Sequence, residues 1–177
     1  ALSLIGAQST VTSFGRVECW GLANPATGSN TIAVTLSGSI ISAGVAVSYA
    51  GVHQTSPTEA FNSAQATNVG AADATVSVTS VADQCWIHAA LATSDGDVTA
   101  GQTTRNEVNG AGGSGANEDF GPQSPGAKSM TYTDVGALAT WAIAGYAIRP
   151  IAADSLGGGF RPFFDHGTIL VGGGIRG

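Results

Sequence analysis

The stretch Thr75-Val76-Ser77-Val78-Thr79-Ser80 alternates apolar and small polar side chains with a period of two. An extended chain with that period carries Val76 and Val78 on one side and Thr75, Ser77 and Thr79 on the other, the pattern of a strand with one buried face. Outward from it the pattern recurs. Thr31 to Leu36 (TIAVTL) sets Ile32, Val34 and Leu36 against Thr31, Ala33 and Thr35, and Ser37-Gly38 ends it. Gly44 to Tyr49 (GVAVSY) follows in the same style. Cys85 to Leu91 (CWIHAAL) and Ala142 to Ile148 (AIAGYAI) are more continuously apolar and read as central strands. Turn-forming clusters separate the runs: Asn24-Pro25, Gly28-Ser29-Asn30, Ser94-Asp95-Gly96-Asp97 and Gly121-Pro122. With 26 glycines and β-branched residues in every window, helices are disfavoured; only 56–65 (SPTEAFNSAQ) suits one short helical turn. The expected fold is all-β, an antiparallel β-sandwich of jelly-roll-like topology.

The 177 residues suffice for one domain with a core of its own. Hydrophobic residues make up 43%, but charged residues only 10%, against about 25% in ordinary globular domains. A chain with one lysine, Lys128, and five arginines has few charges with which to keep a free surface soluble, so much of that surface is expected to lie against neighbours. The net charge of -6 is spread thinly and no basic stripe occurs, which argues against nucleic acid as a partner. No apolar run approaches the length that spans a bilayer, and a membrane partner is not expected.

Two regions do not read as core. Residues 109–126 (NGAGGSGANEDFGPQSPG) form a polar, glycine-rich stretch expected to be a long loop. From Ile151 to Gly177 the glycine runs at 157–159 and 172–174 alternate with two apolar pieces, Phe160 to Phe164 (FRPFF) and Ile169 to Val171 (ILV). This places a sandwich at 1–150 and a C-terminal extension at 151–177, read as an intersubunit arm whose anchors are Phe160, Phe163, Phe164, Ile169, Leu170 and Val171.

Several motifs occur in order: VECWGLANPATGSNTIAVTLSG, AVSYAGVHQTSP, ATVSVTS, AGQTTR, PGAKSMTYT and WAIAGYAIRP. Together they resemble a jelly-roll-like domain of phage virion proteins and bacterial surface or secreted proteins. Trp20, Leu22 and Pro25 match its first element, Gly51, Val52, Gln54 and Pro57 its third, and Trp141, Ala142, Arg149 and Pro150 its last. The resemblance covers about residues 1–150 and implies a structural role in a virion or an extracellular setting. In that pattern further strands precede the point where ALSLIGAQ begins. An open sheet edge is therefore expected there, filled by a neighbouring subunit with Gly167 to Ile175 (GTILVGGGI) as donor, or covered by upstream sequence.

Catalytic chemistry finds little footing. His53 falls in a turn, His88 on the face of CWIHAAL opposite Cys85 and Ile87 and so outward, and His166 in the tail; no Gly-x-Ser-x-Gly elbow accompanies them. Asp95-Gly96-Asp97 reads as a hairpin turn, with a weak calcium site as the sharper alternative. Glu118 and Asp119 fall in the glycine-rich stretch. Strand phase puts Cys85 inside and Cys19 outside, with a disulfide between them as the alternative; it puts Trp20 and Trp141 in the core and Trp86 outward, as a contact for another protein or a glycan. No catalytic, cofactor or metal site is assigned. The expected function is a structural subunit of a virion, such as a capsid decoration, or of an extracellular assembly, joining copies of itself or a major capsid or fibre protein. The alternative is a carbohydrate-binding or adhesive module.

Overall fold

The computed structural model describes residues 1–12, 14–38, 41–68, 72–94, 98–108, 113–133, 135–136, 138–151 and 166–175. The chain is all-β, and among the described residues every strand pairing is antiparallel. In chain order the strands are β1 Ser3–Ser9, β2 Gly15–Leu22, β3 Ile41–Ala50, β4 Thr58–Thr67, β5 Ala74–Ser80, β6 Cys85–Thr93, β7 Thr99–Ala100, β8 Thr103–Val108, β9 Ser114–Gln123, β10 Gly126–Thr133, β11 Thr140–Ile148 and β12 His166–Ile175.

They form three sheets. The largest, in the order β4-β11-β6-β9-β8, is the middle layer. The sheet β5-β10-β7 covers one of its faces and the sheet β1-β2-β12-β3 the other. Consequently β6 and β11 are buried on both sides, and each of their two alternating side-chain sets feeds a different core. Cys85, Ile87, Ala89 and Leu91 of β6 join Trp141, Ile143 and Ala147 of β11 against Val76 and Val78 of β5 and Met130 and Tyr132 of β10. Ala90 and Ala92 join Ala142, Ala144, Tyr146 and Ile148 against Val17 and Cys19 of β2 and Tyr49 of β3. Gly145 lets β5 approach β11 closely, because a Cβ there would meet Val78 Cγ2 at 2.8 Å.

The second covering layer explains several departures from the strand-phase reading. His88 is fully buried, since the face opposite Cys85 is not a solvent face. In β2 the core side chains are Val17 and Cys19, while Trp20 lies half-buried on the outer face with Nε1 donating to Glu18 Oε2 (3.1 Å). Cys19 and Cys85 are both free and belong to different cores, one on each side of the middle sheet, so they form no disulfide. Residues 58–67 extend as β4 rather than turning into a helix, because their backbone groups complete the edge of the middle sheet against β11. The glycine-rich stretch contributes β9, a full strand between β6 and β8.

Residues 31–36, expected as a strand, are assigned to none and are exposed throughout. At the other end of the chain, β12 pairs along its length with β2 on one side and β3 on the other. Ile169, Leu170 and Val171 thus have their backbone inside the chain's own sheet, where an intersubunit arm was expected. Phe160, Phe163 and Phe164 lie outside the described residues, as do Asp95, Gly96 and Asp97.

Candidate functional site

Charged groups are scarce in this chain, so those that are buried stand out. Asp119 and Glu118 both have 0% exposure. Being neighbours on β9, they point to opposite faces of the middle sheet. Asp119 is opposite His88 in the register of β6 and β9, and so lies in the layer between the middle sheet and β3. Glu118 lies on the other side, where its Oε2 accepts from the Gln102 amide at 2.8 Å.

Four strands from two layers build the Asp119 cluster. The β8–β9 register shifts between Thr104 and Asn106, so that Arg105 is the extra residue of a bulge, a device that redirects a side chain. Its guanidinium grips Asp119 with two nitrogens, Nε to Oδ2 and Nη2 to Oδ1 (2.9 Å). From the facing sheet Tyr49 donates its hydroxyl to Asp119 Oδ2 at 2.8 Å, and the Tyr49 hydroxyl oxygen lies 3.0 Å from His88 Nδ1. An ionised carboxylate can only accept, so the tyrosine proton is committed to Asp119 and His88 must supply the proton of the second bond. The resulting chain runs from His88 Nδ1–H through the Tyr49 hydroxyl to Asp119, with Arg105 as counter-charge. Burial pulls the His88 pKa from 6.5 down to about 4, against the attraction of Asp119, so the imidazole is neutral near pH 7. Burial and Asp119 push the Tyr49 hydroxyl far above its ordinary value.

Trp86, expected outward, shares this interlayer face with His88 and is half-buried. Its ring lies 6.0 Å from that of Tyr49, with the Arg105 Cζ over it at 6.0 Å. Gly121 makes room for it, since a Cβ there would meet the indole at 2.7 Å. Glu118 sits in a different balance. Burial raises its carboxyl to about 7, against the opposing pull of the Gln102, Gly101 and Thr131 amides. Its protonation therefore changes near neutral pH.

His88 has no exposed surface, and at Nδ1 its partner is a tyrosine already engaged with a carboxylate. Two clefts open on the flanks. One of about 70 Å³ lies where β3 meets the β8–β9 side of the middle sheet and is lined by Ala43, Gly44, Ala92, Val108 and Asn117. A shallower one of about 490 Å³ lies between β1 and β4, lined by Leu4, Ile5, Glu59 and Phe61. His53, expected in a turn, accepts from the Ser56 amide at 3.1 Å within its own loop and is not brought to either cleft. Sequence reasoning missed the cluster, although β6 carried the signal. CWIHAAL is apolar in both phases, which requires cover on both faces, and a lone histidine in such a strand must be buried and partnered.

Comparison with protein-family models, with curated proteins and with solved structures finds no match. No family is thereby assigned, and what stands is an all-β antiparallel architecture consistent with a β-sandwich.

Proposed function

We propose that the chain is a structural subunit of a virion or an extracellular assembly, held by protein–protein contacts with copies of itself or with a major capsid or fibre protein. One observation carries the reading: from Cys19 to Thr58 there is no Asp, Glu, Lys or Arg, and this stretch includes both the edge strand β3 and the exposed run Ile32, Val34 and Leu36. Natural sheet edges are commonly guarded by charge, proline or a bulge. β3 has none of the three: it contains neither a charged residue nor a proline, and its register with β12 is unbroken. An unguarded edge and a run of exposed aliphatic side chains are what a contact surface requires.

The interior cluster supports the same reading. A bidentate Arg105–Asp119 pair bridged by Tyr49 to the opposite layer fixes the two sheets relative to each other, as a building block needs. Trp86, on which the carbohydrate-binding alternative depended, is packed between Tyr49, Arg105 and Gly121 rather than offered flat to solvent, which favours the structural reading. Electron micrographs of the purified full chain, together with a glycan array, test this. Regular particles or fibres without glycan binding support the proposal; a dispersed monomer that binds a defined sugar refutes it.

A further inference from the structure

β2 and β3 each run antiparallel to the strand between them, β12, and so run parallel to each other. Across that strand Leu22 is level with Ser48, and Gly15 with Ile41. The chain that leaves β2 at Leu22 must therefore travel back the full height of the sheet before β3 can begin. That return contains Thr31 to Leu36. It runs in the direction a strand between β2 and β3 requires, and its length suits the position. In an ordinary up-and-down meander this segment would be the middle strand. Instead it is exposed, with Val34 at 68%, and is hydrogen-bonded to no described residue.

The two segments also differ in intrinsic fitness. TIAVTL has β-branched residues at four of six positions and no glycine, and its alternation would turn Ile32, Val34 and Leu36 together onto one face. HGTILVGGGI has glycine at 167, 172, 173 and 174, each of which weakens a strand. Fourteen residues, 152–165, separate Ile151 from β12, enough chain to let it reach beyond its own sheet.

From this we infer that the place between β2 and β3 has two occupants, β12 and residues 31–36, and that β12 is a strand exchanged with a second copy of this chain. When β12 leaves its own sheet and no strand from another copy enters, residues 31–36 take its place and keep the core around Val17, Cys19 and Tyr49 covered. Seated in a second copy, β12 makes the same backbone hydrogen bonds it makes at home, so the exchange exposes no unpaired sheet interior. The exchange between copies rests on the assembly reading above; the double occupancy does not.

Two substitutions in the full chain separate these claims. Leu170→Pro removes a backbone donor from the middle of β12, and Val34→Pro does the same for the alternative strand. Leu170→Pro is expected to stay folded, with the amides of 31–36 passing from fast to slow hydrogen exchange, and to lose association. Val34→Pro is expected to keep both fold and association. The double variant should lose far more thermal stability than the two single variants together. Fast exchange at 31–36 in folded Leu170→Pro, its outright unfolding, or additive losses in the double variant would each refute the double occupancy. If Leu170→Pro shows the protected 31–36 segment while the wild-type chain is monomeric at every concentration, the exchange between copies and the assembly reading fail, and the double occupancy stands.

Discussion

Glu118→Gln should change how stability depends on pH, by an amount the structure fixes. In the folded chain the Glu118 carboxyl is raised from 4.5 to about 7 by burial. Charging it inside the sandwich therefore costs about 3 kcal/mol more than charging it in the unfolded chain, at about 1.4 kcal/mol per tenfold change in the protonation equilibrium. An acid with a raised folded pKa gives stability that is fully present below its unfolded pKa and is lost as pH rises through the folded one. Glu118 thus destabilises progressively from pH 4.5 to above 7. His88 has the opposite sign. Its pKa falls from 6.5 to about 4, so its contribution is present above 6.5 and is lost as pH falls toward 4. In the wild-type chain the two oppose each other between about 4.5 and 6.5. Glutamine is nearly isosteric, still accepts from the Gln102 amide and does not titrate. Urea unfolding of both proteins at pH 4.5, 5.5, 6.5 and 7.5 isolates Glu118, because every other titrating group cancels in the difference. The variant should gain about 3 kcal/mol on the wild type between the lowest and highest pH. A difference that stays constant across the series would refute the reasoning.

Three further outcomes follow from the same interior. Arg105→Met strands the Asp119 carboxylate and should destabilise by about 3 kcal/mol, the lower end for a buried pair because the guanidinium is partly exposed; adding Asp119→Asn should restore part of that in denaturant melts. Tyr49→Phe keeps the ring but removes the bridge between His88 and Asp119, and should lower stability by about 1–3 kcal/mol with little change in β-sheet circular dichroism. Cys19 and Cys85, buried and with thiols pushed up to about 12 and about 11, should react with a thiol reagent only as fast as the chain unfolds; rapid labelling in native buffer would contradict their placement.

Much of the fold was legible in the sequence because its strongest strands are amphipathic or doubly apolar. Val76 and Val78 are buried while Thr75, Ser77 and Thr79 are exposed, as a period of two requires. Cys85 and Ile87 share a core, and Trp141 lies in it. The errors have a common origin in the number of layers. With only two sheets, every strand has a wet face, so His88 and Trp86 were turned outward; a third sheet makes that face an interior. β2 was misphased because the large Trp20 outweighed Cys19 as a core candidate, although a small side chain suits the close approach of β2 to the alanine-rich face of β11. Glu118 and Asp119 were hidden by composition: glycine and polar residues suggested a loop, and only partners distant in sequence, Arg105 and Tyr49, turn Asp119 into an acceptable interior charge. Residues 31–36 show the limit from the other side, a strand pattern whose place in the sheet is taken by a segment from the far end of the chain.

Whether this chain works by assembling is tested by sedimentation velocity of the wild-type chain over a wide concentration range at moderate ionic strength. Species heavier than the 17.5 kDa chain are expected, with a share that grows with concentration and is little affected by added salt, as fits an interface drawn from a charge-free stretch. A single species of 17.5 kDa at every concentration would contradict it.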